Sequence, residues 1–192
     1  VMASFNPWWQ SGVVPKGFVK EFRRNGYYTC KKAFLNEIRR IVVMSGARRT
    51  GKTTIVYQII DELLTSGIKP QNILYLTFDH PVIRATEFDA LINIYRNNIS
   101  NDEEFYVFLD EVQYNKYWTN FLKILYDLNP GVRAVATGSA SSMVEGAVKE
   151  SGAGRWTVIK IPTLSFYEYC AIKGIKKDIP KINVFKMHEL SR

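Results

Sequence analysis

From Ile41 onward, apolar residues fall into two alternating patterns. Short unbroken runs such as Ile41-Val42-Val43-Met44 are what a strand covered on both faces requires. Between the runs lie stripes at three-to-four spacing. Ile55, Val56, Ile59, Ile60, Leu63 and Leu64 make one face of a helix that opens near Lys52 and has Gly67 as a stop. The same alternation predicts further strands over 73–78, 105–109, 132–136 and 156–161. Helices are expected over 88–99, 114–128, 140–150 and 164–172. Strand and helix in strict alternation imply an α/β fold with a parallel sheet and helices on both faces. The chain shows no internal repeat and no low-complexity stretch.

Residues 1–40 follow the scheme least well. They are aromatic and basic, and Pro7, Gly12, Pro15 and Gly17 interrupt their first part. Helices are expected over 18–24 and 31–39. The Trp8-Trp9 pair beside basic residues has two readings: a platform on which bases stack, or an anchor that packs a terminal arm onto the core.

Composition narrows the class without naming a function. The chain has 192 residues, 46% hydrophobic and 23% charged. That excludes a disordered or collagen-like chain and suffices for a real core. The net charge of +8 is uneven: +6 over 1–40 and +5 over 155–192, against −4 over 67–154. The basic excess at the ends is either two solvated faces or a surface for a polyanion, possible nucleic acid contact included. Cys30 and Cys170 lie far apart, with no CxxC and no His/Cys cluster suited to zinc. Reduced thiols and a cytoplasmic location are expected. No apolar run reaches membrane-spanning length, so no membrane partner is expected. The chain opens on Val1, and residues 184–190 still read as amphipathic helix, so a longer parent protein is expected.

The segment Gly46-Ala47-Arg48-Arg49-Thr50-Gly51-Lys52-Thr53 matches GxxxxGK[ST]. It follows an apolar strand and opens an amphipathic helix, the context a phosphate-binding loop needs. Gly46 and Gly51 let backbone wrap closely around phosphate. Successive N–H groups, Thr50 and Thr54 included, line a helix N-terminus that favours an anion. Lys52 brings positive charge to the β- and γ-phosphates, and the Thr53 hydroxyl can ligate Mg²⁺. Arg48 and Arg49 either touch phosphate or a neighbouring subunit, or are solvated.

Tyr106-Val107-Phe108-Leu109 leads into Asp110-Glu111, the form of a Walker B strand. Asp110 is expected to hold Mg²⁺, and Glu111 to orient and deprotonate the attacking water. Asn115-Lys116 continues into Tyr117-Trp118, so the guanine-reading NKxD pattern is missing and ATP is favoured over GTP. There is no LSGGQ-like signature. The fourth strand ends in Ala136-Thr137-Gly138-Ser139. Thr137 or Ser139 is expected either to position water beside the γ-phosphate or to cap the following helix.

Together GARRTGKTT, FLDEVQ, ATGSASS and GRWTVIKIPTLSFYEY resemble the AAA+ ATPases. More narrowly they resemble a prokaryotic family of predicted AAA ATPases that usually continues into a C-terminal domain of unknown function. The resemblance covers about residues 35–172. It implies a P-loop three-layer α/β/α fold with a parallel five-stranded sheet in order 5-1-4-3-2. It puts Thr137 or Ser139 in the sensor-one place. It also makes Arg155 a candidate arginine finger for a neighbouring active site in a homo-oligomer, the alternative being a strand-start arginine paired with a surface acid. The implied organisation is an aromatic and basic arm at 1–34, an ATPase domain at 35–172, and the start of a lid or linker at 173–192. The implied activity is Mg²⁺-dependent ATP hydrolysis, with catalytic roles for Lys52, Glu111, Thr137, Ser139 and Arg155. The alternatives are a slow nucleotide-dependent switch, a DNA-associated ATPase and a small-molecule kinase; the acceptor-binding lid that a kinase needs is not found.

Overall fold

A computed structural model of the chain describes residues 1–139 and 154–175. The strands are β1 (Ile41–Gly46), β2 (Ile73–Thr77), β3 (Phe105–Asp110), β4 (Val132–Ser139) and β5 (Trp156–Lys160). They form a single sheet in order β2-β3-β4-β1-β5, and every neighbouring pair is parallel. Read from the other edge, this is the expected 5-1-4-3-2 order. Strand β3, which ends in Asp110, is therefore separated from β1 by β4.

Alternation along the strands divides the core into two layers. Ile41, Val43, Leu74, Leu76, Val107 and Leu109 face one side. There they pack against α4 (Pro81–Ala85, Ile83 buried), α5 (Phe88–Asn98) and α6 (Trp118–Leu128). Val42, Met44, Ile73, Tyr75, Phe108 and Val135 face the other. That side carries α2 (Asn25–Phe34) and α3 (Lys52–Thr65), with Tyr27, Cys30 and Phe34 from α2 and Ile55, Val56, Ile59 and Ile60 from α3. All six residues of β1 are buried, as the unbroken apolar run requires. The last described helix is α7 (Phe166–Ile172), opened by a capping box between Ser165 and Glu168.

The N-terminal forty residues depart most from expectation. Residues 18–24 are not helical. The buried amide of Gln58 on α3 donates to the carbonyls of Lys20 at 2.6 Å and Phe22 at 2.9 Å, which fixes this segment as irregular backbone along α3. Helix α2 starts at Asn25 and stops at Phe34 instead of spanning 31–39. Arg133 on β4 ends it, donating to the carbonyls of Phe34 at 2.7 Å and Asn36 at 2.9 Å.

The Trp8-Trp9 pair packs onto the core. Trp8 lies in a short helix, α1 (Trp8–Ser11), and is fully buried. Its indole donates to the carbonyl of Ile73 at 3.0 Å, and the Trp9 indole donates to the same oxygen at 2.8 Å. Asn6 completes the contact by accepting from Tyr75 N–H at 2.6 Å and donating to the Tyr75 carbonyl at 2.9 Å. The arm thus lines the outer edge of β2. The expected helix at 140–150 and the amphipathic stretch at 184–190 lie outside the described residues, as does most of the segment 173–192. Strand β4 runs to Ser139, beyond the expected 136, because it stays paired with Gly46. The expected helix over 114–128 begins at Trp118, preceded by one 3-10 turn at Val112–Tyr114.

Candidate active site

The site lies beyond the carboxyl ends of β1, β3 and β4, where a parallel sheet leaves a crevice. The loop between β1 and α3 is tightly turned. Arg49 and Gly51 both have left-handed backbone, with φ of 64° and 85°. Thr50 is buried between them, and its hydroxyl donates to the Ala47 carbonyl at 2.9 Å. Gly46 is required by packing: a Cβ there would stand 2.4 Å from the carbonyl oxygen of Ile161. Its neighbour, then, is the chain leaving β5.

Lys52 is only 4% exposed and donates to the carbonyls of Gly46 at 3.1 Å and Ala47 at 2.9 Å. Its ammonium is thus held across the loop mouth. The Thr53 hydroxyl donates to Asp110 Oδ2 at 2.9 Å, joining the loop to the end of β3. Thr54 lines a groove of about 910 Å³ with Gly51, Ile55, Phe22 and Ile172. Arg48 is exposed and donates to the Tyr114 hydroxyl at 2.6 Å; Arg49 is also exposed.

Asp110 is the hub of the polar site. It is buried, and its carboxylate accepts from three hydroxyls: Thr53, Thr137 on β4 and Tyr75 on β2, the last at 2.9 Å. Burial raises its pKa, and the three hydrogen bonds oppose that rise. Burial also raises the pKa of Tyr75, helped by the neighbouring Asp110 charge. Tyr75 therefore stays a phenol that donates.

Glu111 follows in left-handed backbone, φ 55°. Its N–H donates to Thr137 Oγ1 at 3.1 Å, and its carboxylate accepts from the amide of Gln113. Gln113 also accepts from the N–H of Ser139 at 3.2 Å. Lys52, Thr53, Asp110, Glu111, Thr137 and Ser139 are thereby gathered around one crevice.

Arg155 is placed apart. It precedes β5 at the opposite end of the sheet and forms a two-pronged ion pair with Asp127, at 2.9 and 3.1 Å. Of its two readings, the surface-acid pairing is the one observed, and Arg155 does not reach its own chain's crevice.

The oxygen donors fit Mg²⁺. A threonine hydroxyl and one carboxylate, 2.9 Å apart, are the small hard-oxygen set that ion takes from protein while phosphates and water fill its other positions.

Sequence reading passed over Tyr75, Gln113, Arg24 and Glu168. Gln113 stands inside the FLDEVQ motif, and Tyr75 is a polar-tipped aromatic in a buried strand, a usual sign of a buried hydrogen bond. Glu168 follows Ser165 at the spacing of a capping box, whereas Arg24 carries no local signal, its partner lying 144 residues away.

Residues 38–170 match the family model described as AAA domain. An uncharacterized protein of Haemophilus influenzae is 34% identical over 142 residues, covering 70% of this chain and 34% of its own length. An uncharacterized protein of Methanocaldococcus jannaschii is 31% identical over 135 residues, covering 64% of this chain and 27% of its own. The chain therefore spans about a third of the length of the curated relatives it matches. Among solved structures, the Aeropyrum pernix ORC1 protein in complex with DNA has a TM-score of 0.60 at 12% identity, covering 88% of this chain and 52% of that one. A DNA replication initiation factor has a TM-score of 0.54 at 17% identity, covering 85% and 55%. At such identities the two structures establish the shared fold. With the family match over most of its length, a P-loop sheet in the expected order and a nucleotide-binding crevice, the chain belongs to the AAA domain family.

Proposed function

We propose that this chain is a Mg²⁺-dependent ATPase module. The observation that carries the reading is the Thr53–Asp110–Thr137–Glu111 relay, which joins the phosphate loop, the Asp110 carboxylate and the backbone N–H of Glu111 through consecutive hydrogen bonds. The loop N–H groups and Lys52 would hold the β- and γ-phosphates. Thr53 and Asp110 would hold Mg²⁺, which when bound neutralises phosphate charge. Glu111 would take the proton of the attacking water, with Thr137 and Ser139 fixing the strand end beside it. The groove between residues 19–24, Gly51, Thr54 and α7 suits an adenine base: it is largely apolar, with Val19, Phe22, Ile55 and Ile172 in its wall.

Nucleotide binding measured beside phosphate release tests this reading. Lys52→Ala is expected to weaken ATP binding on the order of a hundredfold, as loss of a buried charge-assisted contact does. Glu111→Gln is expected to keep ATP bound while phosphate release falls about 10²- to 10⁴-fold, the usual contribution of a positioned base. Equal turnover by Glu111→Gln and the parent would sink the assignment. Tight ATP binding with near-zero turnover in the parent would favour a slow switch acting on the rest of a longer protein.

A nucleic-acid partner is a second reading, supported by exposed Lys16, Lys20 and Arg23 in the basic N-terminal region. DNA-stimulated hydrolysis that declines steeply with salt is its signature, and no stimulation at low salt counts against it. Assembly into a homo-oligomer and a cytoplasmic location accord with the same reading. No helix among the described residues is long and apolar enough to cross a membrane.

A further inference from the structure

Arg24 belongs to the irregular segment before α2, outside every motif, yet it touches three parts of the molecule. Its guanidinium forms a two-pronged ion pair with Glu168 on α7, at 3.1 and 2.9 Å. It donates to the carbonyls of Pro162 and Thr163, both at 3.1 Å, in the segment that leaves β5. Its remaining nitrogen donates to the carbonyl of Thr50 in the phosphate loop. Both side chains of the ion pair are largely buried, at 13% and 7% exposure. Glu168 is held in turn by the Ser165 N–H at 3.0 Å and the Ser165 hydroxyl.

The Thr50 contact bears on the loop's chemistry. In a trans peptide the C=O and the next N–H point in opposite directions. Drawing the Thr50 carbonyl outward toward Arg24 aims the N–H of Gly51 the other way. That peptide joins Thr50 to Gly51, whose left-handed glycine backbone gives the chain freedom to turn over there. An exposed lysine could supply charge at this place. A planar guanidinium anchored by a carboxylate and two carbonyls supplies direction as well.

We propose that Arg24 is a positioning residue for the phosphate loop: fastened by Glu168 and the 162–163 carbonyls, it fixes the Thr50–Gly51 peptide with its N–H directed at bound phosphate. The proposal rests on the nucleotide-site reading above and deepens it. Its consequence is that the loop's affinity for phosphate depends on α7, an element more than a hundred residues beyond the loop.

The test compares the full chain with Arg24→Met and Arg24→Lys. Each is titrated with ATP and with inorganic tripolyphosphate by displacement of a fluorescent nucleotide, and folding is checked by circular dichroism. Both variants are expected to weaken ATP and tripolyphosphate by a similar factor, about tenfold, the scale of one lost charge-assisted hydrogen bond. Parent-like binding by Arg24→Lys beside weakened Arg24→Met would assign the effect to charge and overturn positioning. Weakened ATP with unchanged tripolyphosphate would place Arg24 in the base groove and overturn it. Unchanged binding of both ligands, or loss of fold in both variants, would also overturn it. A parent that binds neither ligand would remove the phosphate-loop reading itself, an outcome distinct from the others.

Discussion

The hydroxyl of Thr137 bonds two consecutive residues of the neighbouring strand end, donating to Asp110 and accepting from the N–H of Glu111 at 3.1 Å. One β4 side chain therefore fixes both the Asp110 carboxylate and the backbone of Glu111. Thr137→Val keeps the shape and removes both bonds. Turnover is expected to fall about 10- to 100-fold, the cost of losing an outer-shell partner, with ATP affinity changed much less. Thr137→Ser should restore most of the rate, and steady-state kinetics beside equilibrium nucleotide binding distinguishes the two effects.

Tyr75→Phe removes one hydroxyl from Asp110 and leaves the ring against Trp8 and Tyr57. Mn²⁺ binding to the ATP complex, followed by electron paramagnetic resonance, is expected to weaken about tenfold, again the outer-shell scale. Unchanged Mn²⁺ affinity would show that Tyr75 is a packing residue.

Gly46→Ala is expected to destabilise the nucleotide-free protein by about 1–3 kcal/mol, the usual cost of overpacking. The new methyl would meet the Ile161 carbonyl. Denaturant unfolding without ligand measures this; a loss confined to nucleotide binding would contradict the packing argument.

Acid should release α7 before the rest of the molecule. Hydrogen bonding from Arg24 holds the pKa of Glu168 down at about 2, against burial that would raise it. The folded value lies below the unfolded one, so the contribution is complete above about pH 4.5 and is lost as pH falls from there toward 2. A shift of that size corresponds to about 3 kcal/mol at most, and Glu168→Gln is expected to flatten the acid limb of the stability profile.

The sheet was legible because each strand carries its own signal. Ile41-Val42-Val43-Met44 is apolar throughout and all of it is buried. The loop motif and Asp110-Glu111 were legible because each packs its chemistry into adjacent residues. The misplaced helix at 18–24 has another cause. Phe18, Val19 and Phe22 are spaced as a helical stripe would be, but Gln58, 36 to 38 residues away, claims the local carbonyls. For a similar reason the sequence names a partner for neither Tyr75 nor Arg24. Their partners lie 35 and 144 residues distant, and no local pattern encodes a hydrogen bond closed by the whole fold.

Asn6, Trp8 and Trp9 occupy the outer backbone groups of β2 with side chains, where another protein would add a strand. A recombinant fragment lacking only residues 1–11 would uncover that edge and vacate the buried site of Trp8. It would then offer a ready template to any extended segment, its own copies included. Trimmed material should consequently precipitate or form edge-to-edge dimers even with every nucleotide-site residue in place, so insolubility of such a fragment would report on its missing border and not on its active site.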